Sequence, residues 1–313
     1  MTFVILLAAD FSRDEQAQWL TLLGDALPGE TWVTDRSACD PGSIDVAIVA
    51  NPPPGTLQGL RQLKFIQSLW AGVDTLLRDA TLPADVPLAR MVDPAMNAAM
   101  AETALWAVLS LHRGFFGYAE QQRRRQWQAQ PQRRADEIGV AVLGLGQMGR
   151  AVAQRLAANG YRVSGWSTHN VQVANIASWC GDAALPAVLA AADIVVNLLP
   201  LTPATHGLFD ARRLAQLPRG ACLVNLARGA HVVEADLLAA LDRGHLQHAV
   251  LDVFGTEPLP VAHPFWAHPQ LTLLPHVAAQ TDPRSAALIA ARSIRDWRAG
   301  RAPQYLVDRS RGY

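Results

Sequence analysis

Cysteine is scarce in this chain: Cys39, Cys180 and Cys222 are its only three, widely spaced and odd in number. That usage excludes a disulfide framework and a CxxC metal site, and it fits a reducing, cytoplasmic compartment. An excess of charge of either sign is also missing, since 27 Lys and Arg balance 27 Asp and Glu. No long-range field therefore draws nucleic acid or an anionic membrane surface. The one basic cluster, Arg123 to Arg125 with Arg133 and Arg134, lies among glutamines and reads as a solvated helix face or an intersubunit surface. No apolar run is long enough to cross a bilayer. The opening MTFVILLAAD lacks a basic n-region and reads as a buried first strand rather than a targeting signal.

What is present is the composition of a globular protein. Half of the 313 residues are hydrophobic and 17% are charged, enough for two domains that each bury a core. The runs FVILLAA, IDVAIVA and LKFIQSLWAGVD, with the helical stretch SRDEQAQWLTLLGDAL between the first two, predict a small parallel α/β domain near the N-terminus. A long helix is expected from Met96, capped by Asn97 or Asp93, and Pro131 closes that region. A second series then follows: IGVAVLG, YRVSGWS, ADIVVNLLP, ACLVNLA, HAVLDVF and LTLLPHV. Six short apolar strands separated by helical segments match a doubly wound sheet. The last helical stretch, DPRSAALIAARSIRDWRAG, is expected to return to the first domain, which is otherwise short of helices. The expected division is residues 1–98 with 286–313 for the smaller domain and 99–285 for the larger.

The segment VAVLGLGQMGRAV sets Gly144, Gly146 and Gly149 in G-x-G-x-x-G spacing between strand and helix. The first glycine permits the tight turn, the second lets a pyrophosphate approach the backbone, and the third brings helix and strand together. Leu145, Gln147 and Met148 complete the loop, and the helix starting near Gln147 offers free amides and its positive dipole end. In YRVSGWSTHN, the place where an acid would hold a ribose 2′-hydroxyl falls on Ser167, followed by Thr168 and His169. Hydroxyls and an imidazole can donate to a 2′-phosphate that an acid would repel, so NADPH is expected over NADH, which stays possible.

Three more strand ends carry chemistry. Arg228 follows LVNLA; Asp252 ends AVLD, with Glu257 in the loop after it; His276 follows LTLLP. Taken singly, Arg228 could be a surface ion-pair partner, Glu257 a solvated loop acid and His276 a hydrogen-bonding histidine at a domain edge. Taken together, they follow successive strands of one dinucleotide-binding sheet and should converge where a nicotinamide lies.

The glycine loop, NLLPLTPATHGLF, LVNLARGAHVVEADLLAAL, LDVFGTEPLP and LLPHVAA, in that order, resemble the D-2-hydroxyacid dehydrogenase family. Within it, NLARGAHVVEADLLAAL, WAGVD and DRSRGY resemble the glyoxylate/hydroxypyruvate reductase A branch. The resemblance implies a Rossmann domain inserted into a smaller flavodoxin-like substrate domain. It implies reduction of a small 2-oxo acid, with His276 as general acid, Glu257 orienting the ring and favouring its protonated form, and Arg228 clamping the substrate. It places Asp252 on the nicotinamide carboxamide, and Leu199, Pro200 and the backbone of Leu226 along the cofactor. Ordinary strand-end packing serves as well for Leu199 and Pro200. The loop WAGVD would offer the amides of Ala71, Gly72 and Val73 to the substrate carboxylate. Trp70 either narrows the pocket or fills a gap, and Trp266 either shields the site or packs its loop.

Formate dehydrogenases of the same family carry glutamine at the place of Glu257, and phosphoglycerate dehydrogenases carry extra regulatory length. A dinucleotide-sensing corepressor on the same fold is the alternative of another class. The helix from Met96 to Tyr118 is rich in Ala, Leu and Trp, as burial between domains or in a homodimer would require.

Overall fold

The computed structural model describes residues 2–313, and Met1 lies outside the described residues. The chain divides into two compact units: the residues up to Met96 together with Thr281–Tyr313, and Asn97–Gln280. Among the described residues, no helix is long and apolar enough to cross a membrane.

The first unit is built on a parallel sheet. Its elements are β1 (Val4–Ala9), α1 (Arg13–Ala26), β2 (Thr31–Val33), β3 (Val46–Ala50), β4 (Phe65–Ser68), α2 (Asp74–Leu77) and β5 (Leu88–Ala89). The strand order β2-β1-β3-β4-β5 is that of flavodoxin-like sheets. All five residues of β3 are buried, as a central parallel strand covered on both faces requires. Ser12 starts α1 through a reciprocal capping box with Glu15. Strands β2 and β5 were not legible in the sequence, being only three and two residues long.

Helix α3 (Pro94–His112), whose residues from Asn97 onward belong to the second unit, begins directly after Asp93, whose carboxylate accepts the Ala95 amide at 2.8 Å. Asp93 rather than Asn97 is therefore the cap. The expected long helix is broken at Gly114, which adopts φ 70° and starts α4 (Phe115–Arg123) at a new angle. The remaining elements are β6 (Gly139–Leu143), α5 (Gln147–Ala158), β7 (Arg162–Ser167), β8 (Ala177–Cys180), α6 (Leu185–Ala190), β9 (Ile194–Asn197), α7 (Ala211–Leu214), β10 (Ala221–Asn225), α8 (Glu234–Asp242), β11 (Leu246–Leu251) and β12 (Leu271–Leu273). The sheet has seven strands in the order β12-β11-β10-β9-β6-β7-β8, one more than expected. The extra strand β8 is an edge strand with three exposed residues, so no apolar run announces it.

Alternate residues of β6 enter separate cores. Val140 and Val142 pack with α3 and α5, whereas Ala141 and Leu143 pack with α6 and α8. Such two-sided burial is why these strands read as continuous apolar runs. The chain reverses its direction of winding between β6 and β9, the neighbours at which an open α/β sheet leaves a crevice at its carboxyl edge.

The last helix, α9 (Pro283–Arg298), belongs to the first unit, where it packs on α1 and β4. Ala286, Ala290 and Ile294 recur at four-residue spacing on its buried face, and the alanines let it approach closely.

Candidate active site

The crevice between β6 and β9 is shaped by glycines. Gly144 takes φ 100°, and a Cβ there would lie 2.7 Å from the Leu198 carbonyl group. A Cβ on Gly149 would collide with the Gly144 carbonyl oxygen, so α5 can lie on the turn only without one. At Gly146 a Cβ would meet nothing: the backbone there borders open space. Gly146 also supplies no side-chain cap to α5, which leaves the first amides of that helix for a ligand. This cradle fits a pyrophosphate. The side chain of Leu145 is buried and that of Met148 packs against the core, so only their backbone faces the turn.

Two residues expected beside the cofactor also bind the protein's own backbone. The Ser167 hydroxyl donates to the His169 carbonyl at 2.6 Å, which spends its one proton inside the loop. Thr168 and His169 stay exposed. Both oxygens of Asp252 accept backbone amides, from Val277 at 2.7 Å and Ala278 at 3.0 Å. Burial pushes the Asp252 carboxyl above the ordinary carboxylate range, against the opposing pull of those two amides. The residue thus organises the backbone after His276, a role sequence reasoning missed.

Pairing of β9 with β10 sets Asn197 beside Asn225, and both are fully buried. The Asn197 amide donates to the Asn225 side-chain oxygen at 2.9 Å and lies 3.0 Å from Nδ1 of His231. Nε2 of His231 reaches the Pro200 carbonyl at 3.3 Å, which also accepts the Thr205 hydroxyl at 2.7 Å. An imidazole that accepts at Nδ1 and donates at Nε2 is the neutral tautomer. The Asn225 amide donates to the Arg228 carbonyl at 2.9 Å. One buried network therefore holds the loop after β9, with Leu199 and Pro200, and the loop after β10, with Leu226 and Arg228. Leu199 and Leu226 are themselves buried, so their side chains serve the core. The signal for the network was an Asn closing two successive apolar runs, VVN and LVN.

Arg228 is half-buried, and Nη1 donates to the Ala227 carbonyl at 2.7 Å. A Cβ on the next residue, Gly229, would fall inside the Phe254 carbonyl group, so the loops after β10 and β11 touch backbone to backbone. The second of these loops carries Glu257, one of whose oxygens accepts the Phe254 amide at 2.9 Å. The other lies 2.7 Å from Nδ1 of His276. His276 follows β12, donates its own amide to the Asp252 carbonyl at 2.9 Å, and adopts φ 56°. A left-handed conformation at a non-glycine residue is costly and is kept where the surroundings fix it. About half of the imidazole surface is open, with a side-chain exposure of 52%. Trp266 donates from its indole to the Pro260 carbonyl at 2.9 Å, which ties it to its own loop.

In the first unit, the loop after β4 is held by Trp70. Its amide donates to the Ser68 hydroxyl at 3.0 Å and its carbonyl accepts the Met91 amide at 3.1 Å. The indole meets Phe11 edge-on at 6.3 Å, which fills space within that unit. Among the described residues, the amides of Ala71, Gly72 and Val73 donate to no protein acceptor.

The family model of the D-isomer specific 2-hydroxyacid dehydrogenase NAD binding domain matches residues 105–278. The glyoxylate/hydroxypyruvate reductase A of Yersinia enterocolitica is 39% identical over 304 residues, 96% of this chain and 97% of that protein. Its counterpart from Serratia proteamaculans is 41% identical over 301 residues, 95% and 96% of the two chains. A D-isomer specific 2-hydroxyacid dehydrogenase from Xanthobacter autotrophicus, solved with NADPH and MES, superposes with TM-score 0.95 at 40% identity, covering 100% of both chains. An NADPH-dependent glyoxylate/hydroxypyruvate reductase from Sinorhizobium meliloti, solved with NADP and sulfate, gives TM-score 0.92 at 32% identity, again over 100% of both chains. This chain belongs to the D-isomer specific 2-hydroxyacid dehydrogenase family, whose members are NAD(P)-dependent oxidoreductases.

Proposed function

We propose that this protein reduces a small 2-oxo acid, glyoxylate or hydroxypyruvate, to the 2-hydroxy acid with NADPH. The observation that carries the reading is the 2.7 Å contact between His276 and Glu257 on the same sheet edge as Arg228. Three of the relatives named above are glyoxylate/hydroxypyruvate reductases, and two solved ones hold NADPH or NADP. The glycine cradle from Gly144 to Gly149 would hold the pyrophosphate. The backbone around Leu199, Pro200 and Leu226, with Asp252 and the Ser167–Thr168 strand end, would border the rest of the cofactor. When bound, the reduced nicotinamide supplies hydride to the carbonyl carbon of the 2-oxo acid.

Reduction leaves a negative charge on the former carbonyl oxygen. His276, as imidazolium, gives that oxygen its proton from Nε2, because Nδ1 is committed to Glu257. Glu257 fixes the ring's orientation and balances its charge while the proton is in place. Arg228 presents a planar fork of donors to the substrate carboxylate and carbonyl. We place the enzyme in the cytoplasm on its three free cysteines, and read it as a homodimer whose second copy covers Trp106, Leu109 and Phe115, exposed on α3 and at the start of α4.

The test is an absorbance assay following NADPH with glyoxylate, hydroxypyruvate and a panel of other 2-oxo acids. Turnover with either named substrate is expected, and His276→Ala should lower kcat by about two to four orders of magnitude. Cofactor binding without turnover would favour a sensor, and near-normal rates in His276→Ala would overturn the assignment of the acid.

A further inference from the structure

Discrimination of NADPH from NADH is strongest with a permanent cation at the 2′-phosphate, and the end of β7 offers hydroxyls and an imidazole but no such cation. The Ser167 hydroxyl is spent on the His169 carbonyl. The loop from Thr168 to Ile176 contains neither Lys nor Arg. A permanent charge has to come from elsewhere in the fold.

We propose that Arg150 is that charge, a specificity-determining residue for the 2′-phosphate; the inference rests on the NADPH reading above and adds a residue to it. Arg150 is exposed in the first turns of α5, one residue past the glycine pattern. Its Nε donates to the Leu145 carbonyl at 3.1 Å, so the side chain folds back over the turn instead of running into solvent. That turn abuts β7 at two points. The Gly144 amide donates to the Trp166 carbonyl at 2.7 Å. A Cβ on Gly165 would lie 2.6 Å from the Leu145 side chain, so the two segments are in van der Waals contact.

The guanidinium is therefore moored on a turn that abuts the last residues of β7, the strand end at which the adenosine ribose of a dinucleotide on this fold is read. Among the described residues, Nη1 and Nη2 of Arg150 have no protein acceptor. Two parallel donors on a group that is charged at every working pH match a phosphate dianion and offer little to a neutral 2′-hydroxyl. Were Arg150 only a staple of the turn, its loss would weaken NADP⁺ and NAD⁺ alike. A phosphate contact instead predicts a loss confined to the phosphorylated ligand.

Binding of NADP⁺, NAD⁺ and adenosine 2′,5′-bisphosphate is measured by calorimetry on the wild type, Arg150→Ala and Arg150→Lys. Arg150→Ala should raise Kd for NADP⁺ and for the bisphosphate about tenfold or more while that for NAD⁺ moves by about twofold at most, and Arg150→Lys should recover part of the loss. Equal losses for NADP⁺ and NAD⁺, or an unchanged preference in Arg150→Ala, would overturn the assignment alone. A wild type with no preference for NADP⁺ would remove the cofactor reading and this inference together.

Discussion

Nδ1 of His276 lies 2.7 Å from the Glu257 carboxylate, and the other oxygen of that carboxylate takes the Phe254 amide at 2.9 Å. Glu257 is therefore fixed to its own loop before it fixes the histidine. Nδ1 of the half-exposed imidazole is bound, and among the described residues Nε2 has no protein partner, the arrangement of a directed acid. Glu257→Gln keeps a hydrogen-bonding side chain but removes the charge that accompanies an imidazolium. Turnover should fall about 10- to 1000-fold, with a much smaller change in the KM for the 2-oxo acid. Steady-state rates at saturating cofactor check this, and an unaltered kcat would show that the contact only anchors the loop.

Much of this arrangement was legible in the sequence because the sheet is parallel. Each strand ends at the same edge, so Arg228, Glu257 and His276 could be assigned to one edge by counting strands. The glycines were legible for a related reason: at Gly144 and Gly149 nothing larger fits. What was not legible depends on side-chain direction and cross-strand register. Asn197 and Asn225 meet only because β9 and β10 pair in that register. That Ser167 also binds the His169 carbonyl, and Asp252 two backbone amides, is likewise set by short-range geometry. Edge strand β8 and the break at Gly114 escaped notice because neither interrupts an apolar pattern.

His248 couples stability to pH. Its ring stacks on Phe116 with centroids 4.7 Å apart, and Nε2 lies 2.9 Å from the Thr272 hydroxyl. Burial, with His268 nearby as a lesser cause, pushes its pKa down to about 4. The unfolded chain takes up a proton near the ordinary histidine value, and the folded chain does so only near 4. Stability from this group is complete above the unfolded value and falls as pH drops through the window between the two, by about 2–3 kcal/mol at most. Urea denaturation at pH 7.5 and pH 5 should show the decline in the wild type and a shallower one in His248→Gln. Equal declines would mean that the ring is already solvated in the native state.

Gly229 tests the contact between the loops that carry Arg228 and Glu257. A methyl group there has no space against the backbone of Phe254 and Gly255, so Gly229→Ala must part the loop of Arg228 from that of Glu257. The rest of the sheet does not depend on this contact. Thermal midpoint should fall by several degrees, while activity falls by about two orders of magnitude or more, since small misplacements of catalytic groups carry large penalties. Wild-type turnover in a folded Gly229→Ala would show that the loops can separate without cost to the chemistry.

The network of Asn197, Asn225 and His231 is the last case, and coupling rather than loss is its signature. Asn225 binds both the Asn197 amide and the Arg228 carbonyl, whereas His231 binds Asn197 and approaches the Pro200 carbonyl. Either Asn225→Ala or His231→Phe leaves buried polar partners one hydrogen bond short, at about 1–3 kcal/mol each. Because Asn197 is shared, the second substitution should cost less than the first, with a coupling energy of about 0.5–3 kcal/mol in a double-mutant cycle. If the network also positions Arg228, KM for the 2-oxo acid should rise in Asn225→Ala more than in His231→Phe, since the Asn225 side chain binds the Arg228 carbonyl and the backbone amide of residue 231, which also donates to it at 3.2 Å, survives in His231→Phe. Additive stability losses together with identical KM values in both variants would reduce the three residues to separate packing elements.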